Sequence, residues 1–150
     1  MYNKKKSAIV HIIALIMIIV MVPISASAAM PETAQPRASY YLDSYNAYVY
    51  LAGGGLVQVY FNVEGTGYMD EIGALSIELY ESTDKSNWTW VETFKHTLNA
   101  GMLSYNDDYH SGHLDYQGVE GRYYKAYVCV WAGKDGSGDT RYFWTNVKPA

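Results

Sequence analysis

At 150 residues, with 11 Lys and Arg against 15 Asp and Glu and a net charge of −4, the chain has room for one domain with a genuine core. The acidic balance argues against nucleic acid and anionic lipid surfaces as partners, since both reward clustered Lys and Arg. Cys129 is the single cysteine, which excludes an internal disulfide, so the core must hold the fold by itself.

In chain order, Lys4, Lys5 and Lys6 precede an apolar run from Ala8 to Val22, Pro23 breaks that run, and Ala26-Ser27-Ala28 supplies small residues for a cleavage site. These are the three parts of a secretory signal peptide. A membrane anchor fits less well, because a spanning helix needs about 20 apolar residues and this run is shorter and carries His11. Residues 1–28 therefore read as a signal peptide, and the mature protein as a secreted one with no membrane attachment after cleavage. Removing the signal takes three basic residues and no acidic one, moving the net charge from −4 to −7. It leaves 22 of the chain's aromatic residues. That is more than one small core buries, so several rings are expected at the surface.

Residues 29–44 hold Pro31 and Pro36 and little apolar periodicity, and read as a flexible arm. From Tyr45 the pattern becomes period two, the mark of a half-buried strand. Ala47, Val49 and Leu51 alternate with polar or aromatic neighbours. Beyond Gly53-Gly54-Gly55, so do Val57, Val59, Phe61 and Val63. Gly65 to Gly73 reads as a connection to new territory. Leu75, Ile77 and Leu79 form the next strand, Trp88 to Phe94 another, and a polar stretch leads to a weak strand over Tyr109–Tyr116. Tyr124, Ala126, Val128 and Val130 define the clearest strand, with Tyr123, Lys125, Tyr127, Cys129 and Trp131 on its other side. Gly133 to Gly138 reads as a hairpin loop, and Thr140 to Val147 as the last strand. Seven short strands with regular turn signals predict an all-β domain over 45–150, a seven-stranded antiparallel β-sandwich of the immunoglobulin or fibronectin-III kind. Tyr124-Lys125-Ala126 resembles the Tyr-x-Cys start of an immunoglobulin F strand. Tyr124 is then a candidate tyrosine corner, its hydroxyl bonding back to the preceding turn.

The segment Gly65-Thr66-Gly67-Tyr68-Met69-Asp70-Glu71-Ile72-Gly73-Ala74 resembles the signature of a family of small secreted Firmicutes proteins. Ser111-Gly112 and the Gly121–Val128 strand are similar to further features of that family. The resemblance spans about Ala38 to Val147 and implies export and a β-rich domain. It implies no chemistry and no site.

Among candidate metal ligands, His110, His113 and Asp115 stand closest together, next to Asp107 and Asp108. On a strand His113 and Asp115 share a face and His110 opposes them. A polar loop entering an exposed strand accounts for these residues without a metal, because no second compact ligand group occurs. Asp135-Gly136-Ser137-Gly138-Asp139 has the oxygens of half a calcium loop, yet lacks its glycine and glutamate; a hairpin turn needs the same residues. No Gly-x-Ser-x-Gly elbow is present, Cys129 has no neighbouring base, and no carboxylate pair stands out. The sequence thus points away from an enzyme and calls for no cofactor. What remains is aromatic. Tyr127 and Trp131 point to the non-core side of their strand, and Tyr60, Tyr80, Tyr48 and Tyr50 point outward from theirs. Such a face suits an extracellular glycan, a cell-wall polymer or a protein partner. The bland counterpart is a set of cross-strand aromatic pairs that only stabilise the sheet. Trp88 and Trp90 share a face that is either core or surface. The expected function is non-catalytic binding through Tyr127, Trp131, Tyr60 and Tyr80. The alternatives are a self-associating structural protein, aided by Cys129, or a metal-dependent enzyme.

Overall fold

A computed structural model describes residues 39–149. The expected signal peptide and residues 29–38 of the expected arm lie outside them. The described residues contain no helix; every strand pair is antiparallel.

Strand β1 (Leu42–Gly53) turns into β2 (Leu56–Ser82) through Gly53, Gly54 and Gly55, all at positive φ, where a side chain would strain the backbone. The first half of β2, through Glu64, lies between β1 and β4 (Leu103–Gln117). Its second half, from Glu71, is paired with β5 (Tyr123–Lys134) and then with β3 (Thr89–Lys95). β6 (Ser137–Trp144) extends the sheet beyond β5, and the two-residue β7 (Lys148–Pro149) pairs with the start of β5.

β2 is therefore 27 residues long and serves both halves of the sheet. This corrects the expected division into a strand, a crossing connection over Gly65–Gly73 and a second strand. Glu64 pairs with Tyr109 and Met69 with Asp107, so residues 65–68 of β2 stand against residue 108 alone. The excess forms a wide bulge that bends the strand. The glycines that read as a loop are what the bend requires. A Cβ at Gly65 would lie 2.9 Å from the Met69 side chain, and one at Gly73, whose φ is +145°, would lie 2.2 Å from the Met102 carbonyl oxygen. Within the bend, Met69 and Ile72 turn inward and are buried.

The alternation read from the sequence places the core. Val57, Val59, Phe61 and Val63 from one half of β2, Ile77 and Leu79 from the other, and Tyr124, Ala126, Val128 and Val130 of β5 share one buried cluster. Each fully buried aliphatic side chain of this kind contributes roughly 1.5–3 kcal/mol. The sheet curls around that cluster. Tyr45 of β1 meets Phe143 of β6 with ring centroids 5.1 Å apart, and Tyr116 of β4 meets Tyr124 of β5 at 6.4 Å.

Tyr124 also ties the connection between β4 and β5. Its hydroxyl accepts the Val119 N–H at 2.8 Å and reaches Glu81 Oε2 at 3.2 Å. Arg122 forms an ion pair with the same Glu81. A Cβ at Gly118 would come within 2.5 Å of that hydroxyl, so glycine there lets the ring reach the turn. This is the backward bond expected of Tyr124.

Other boundaries differ from expectation too, β4 starting at Leu103 inside the stretch read as a polar connection and not at Tyr109. Leu42 is already a buried residue of β1, and the segment before it is clipped to β6. Asp139 Oδ2 accepts hydrogen bonds from Ser39 Oγ at 2.5 Å, the Tyr40 N–H at 2.9 Å and the Tyr41 N–H at 3.1 Å. The hairpin loop expected over Gly133–Gly138 shrinks to Asp135-Gly136, with φ of +53° and +73°. Asp-Gly with both residues at positive φ makes a two-residue turn whose twist matches the strands. Gly133 and Gly138 are thereby paired inside the strands.

Candidate functional site

The bend in β2 sorts the outward-pointing aromatics into two separate groups. On the first half, β1, β2 and β4 lie side by side, and Tyr48, Tyr60 and His113 occupy one row across them. Tyr48 stacks on Tyr60 with centroids 5.1 Å apart and planes 7° apart, and Tyr60 stacks on His113 at 5.0 Å and 24°. Tyr50 meets the edge of Tyr60 at 6.4 Å. Both faces of Tyr60 are thus covered by neighbouring rings, and only its rim and hydroxyl look outward. A depression of about 360 Å³ runs beside this row, lined by Tyr48, Tyr60, Asn62, Tyr109, Ser111 and His113 among others.

On the second half, Tyr80 of β2, Tyr127 of β5 and Trp144 of β6 converge. Trp144 lies 5.2 Å from Tyr80 and 4.8 Å from Tyr127, and Tyr142 lies 5.9 Å from Tyr127. Lys125 Nζ sits 4.3 Å above Trp144 and 4.3 Å above Trp88, clamped between two indoles. Each contact is a cation–π attraction of about 0.5–1 kcal/mol at an exposed site. Trp144 is tilted against both tyrosines, while Tyr127 and Tyr142 stack with planes 22° apart. Tyr142 remains 62% exposed, Trp90 55% and Trp144 48%. Trp88 and Trp90 lie outside the core, so their core-filling reading is set aside.

Of the four expected binding residues, Tyr80 and Tyr127 come together. Tyr60 belongs to the other group. Trp131 shares the outer side of β5 with Tyr127 but sits at the β5–β6 turn, apart from the ring cluster. Trp144, Tyr142 and the Lys125 clamp were missed. The alternation Tyr142-Phe143-Trp144 did signal two outward rings flanking an inward one. What it could not supply was the register, Tyr127 against Trp144 and Cys129 against Tyr142.

The Tyr80 hydroxyl and the Cys129 thiol are held toward their neutral forms. The Glu78 carboxylate, accepting the Tyr80 hydroxyl at 2.9 Å, holds that hydroxyl above its ordinary range. Burial pushes the Cys129 thiol up, against weaker opposing contacts from Tyr142 and Ser76. A protonated thiol that is 4% exposed is neither a ready nucleophile nor a ready disulfide partner. The face offers apolar rings, tyrosine hydroxyls, the Lys125 ammonium and the Glu78 carboxylate.

The proposed metal ligands are divided. His113 Nε2 lies 3.8 Å from Asp115 Oδ1 on the outer side, and that same oxygen accepts the Gln58 amide at 2.8 Å. His110 turns the other way, its Nε2 2.7 Å from the Gly101 carbonyl oxygen and its ring 5.7 Å from Phe61. Among the described residues no group of three or more His, Cys, Asp and Glu side chains is arranged to hold a metal. No protein-family model matches the chain, and no curated protein matches it.

Proposed function

We propose that the protein is a secreted, non-catalytic binding module. It recognises an extracellular glycan, cell-wall polymer or protein through the aromatic face of β3, β5, β6 and the second half of β2. In this reading the curled antiparallel sheet is a β-sandwich of the immunoglobulin or fibronectin-III kind, and the Tyr124–Val119 bond is its tyrosine corner. The reading also takes the chain as a relative of the small secreted Firmicutes proteins that share the Gly65–Gly73 segment.

One observation carries it. Tyr142, Trp144 and Trp90 keep about half or more of their surface in water, although Tyr127, Tyr80 and Lys125 hold two of them in place from behind. Clustered, supported and exposed Trp and Tyr are the residues that dominate binding energy at interfaces. The test is binding of the purified protein to insoluble polysaccharides and peptidoglycan, followed by tryptophan fluorescence with the soluble fragments. Trp144→Ala is expected to abolish retention while the protein stays folded. Retention equal to the parent protein's would remove this face from the reading.

Self-association is the runner-up, and the exposed edge strands β1, β3, β4 and β6 favour it. The buried Cys129 weighs against its disulfide-linked form. Sedimentation at rising concentration separates the two readings: a constant mass supports a binder that acts as a monomer.

A further inference from the structure

Trp131 takes part in none of the ring pairs that join Tyr127, Tyr142 and Trp144, and its seat differs from theirs. Gly133 and Gly138 face each other directly across β5 and β6. A Cβ on Gly133 would lie 2.4, 2.7 and 2.9 Å from the Trp131 atoms Cζ2, Cε2 and Nε1. One on Gly138 would lie 2.3 and 2.5 Å from Cη2 and Cζ2. Several atoms of one ring at similar short distances from a point above each glycine mean that the indole lies over the glycine pair. Glycine packs poorly in a strand interior and marks a place of close approach. Two of them, opposed, let the ring settle low on the sheet with one face down.

The indole borders a depression of about 330 Å³ whose other walls include Asp70, Glu71, Lys134 and Ser137. Asp70 is fixed there, its Oδ2 accepting the Asp135 N–H at 2.7 Å. The bend in β2 brings these carboxylates to the β5–β6 turn, and Glu71 pairs with Gly133 itself.

We propose that this depression is a subsite for a neutral pyranose with equatorial substituents. The indole takes one face of the sugar, and the Asp70 and Glu71 carboxylates accept its hydroxyls. This deepens the binding-module reading and rests on it. A gluco-configured ring offers a flat apolar C–H face to an indole, and hydroxyl donors around its rim. Ionised carboxylates are acceptors only, so they match those donors. Two carboxylates against one ammonium, on a chain of net charge −4, repel uronates and phosphate-bearing polymers. Trp131 and Tyr127 lie on the same side of β5 four residues apart, about 13 Å. An oligosaccharide lying along β5 reaches both; a monosaccharide does not.

The test labels the tryptophan indoles with nitrogen-15 and titrates the purified protein with cellotetraose and chitotetraose, using tetragalacturonate as the anionic counterpart. The Trp131 signal is assigned by its loss in Trp131→Phe. It is expected to move saturably with a neutral tetramer and to stay still with tetragalacturonate. Glu71→Gln, an exposed change that leaves the core intact, is expected to weaken binding about tenfold with the spectrum of the free protein otherwise preserved. Movement of the Trp144 or Trp88 signals alone would overturn this subsite and leave the binding-module reading standing. Preference for tetragalacturonate would overturn the neutral class. Silence with all three would overturn the inference, and the broader reading would then depend on a protein partner.

Discussion

The two halves of β2 carry the same kind of residue on their outer side and use it differently. Around Tyr60 the rings stand face to face across three strands, each spending its π-face on its neighbour. Around Tyr127, Trp144 is tilted against its neighbours and helps clamp Lys125, and Trp131 lies over a pair of glycines. The first covers both faces of its central ring, Tyr60, although Tyr48 and Tyr50 beside it stay 43% and 53% exposed. The second keeps Trp144 and Tyr142 exposed with an ammonium held against the indole. An outward tyrosine is therefore not by itself a binding residue; what its faces touch decides.

The contrast depends on the bend, so the largest effect is expected from breaking it. Gly73→Ala places a methyl group against the Met102 carbonyl at a positive φ, combining backbone strain with overpacking. A loss of about 3 kcal/mol or more is expected, read as a fall in the urea midpoint, with both halves unfolding in one transition. A smaller loss, about 0.5–1.5 kcal/mol, is expected for Tyr124→Phe, which takes the acceptor from the part-buried Val119 N–H. Thermal melts check it, and an unchanged Tm would mean that water replaces the hydroxyl.

Substitutions on the two outer faces sharpen the comparison directly. Trp144→Ala is expected to cost at least tenfold in ligand affinity, about 1.4 kcal/mol, besides roughly 0.5–1.5 kcal/mol of stability for its own ring pairs. Tyr60→Ala is expected to cost a similar amount of stability for its lost ring pairs and to leave affinity unchanged. Parallel titration and denaturation of both variants would settle which face is which. Equal affinity losses would erase the distinction between the two faces.

The smallest effect concerns acid. The Ser39 hydroxyl, aided by the Tyr41 and Tyr40 N–H groups, holds the Asp139 carboxyl below its ordinary value. A carboxyl depressed in the folded state adds stability above its unfolded pKa, near 3.9, and that stability is lost as pH falls through the folded value. Asp139→Asn should therefore be less stable than the parent at neutral pH, and the gap should close on acidification below pH ~4. Urea midpoints across that range check the sign; a gap that widens in acid would contradict it.

Much of this architecture was legible in the sequence. Period-two alternation located the inward faces of β1, β2 and β5, because a half-buried strand must alternate. Tyr124 announced its hydroxyl bond through the Tyr-Lys-Ala pattern. The continuity of β2 was not legible, since Gly65, Gly67 and Gly73 signal a loop when read locally, and only pairing with β4 shows that Gly65 and Gly67 lie in a bulge and Gly73 in the ladder. Gly133 and Gly138 misled in the same way. They read as loop ends, whereas they form the platform beneath Trp131. Register was the other gap. Tyr48, Tyr60 and His113 each read as outward, yet their mutual stacking depends on which residues face each other across strands, and alternation within one strand does not fix that.

A strand shared by both halves also has a consequence for how the domain breathes. Opening either half would strip hydrogen bonds from the same backbone on which the other half is built. The two halves are therefore expected to exchange their amide hydrogens as one cooperative unit rather than as two. A ligand seated near Trp131 would then slow exchange at Val57 and Val59, far along β2, without touching either.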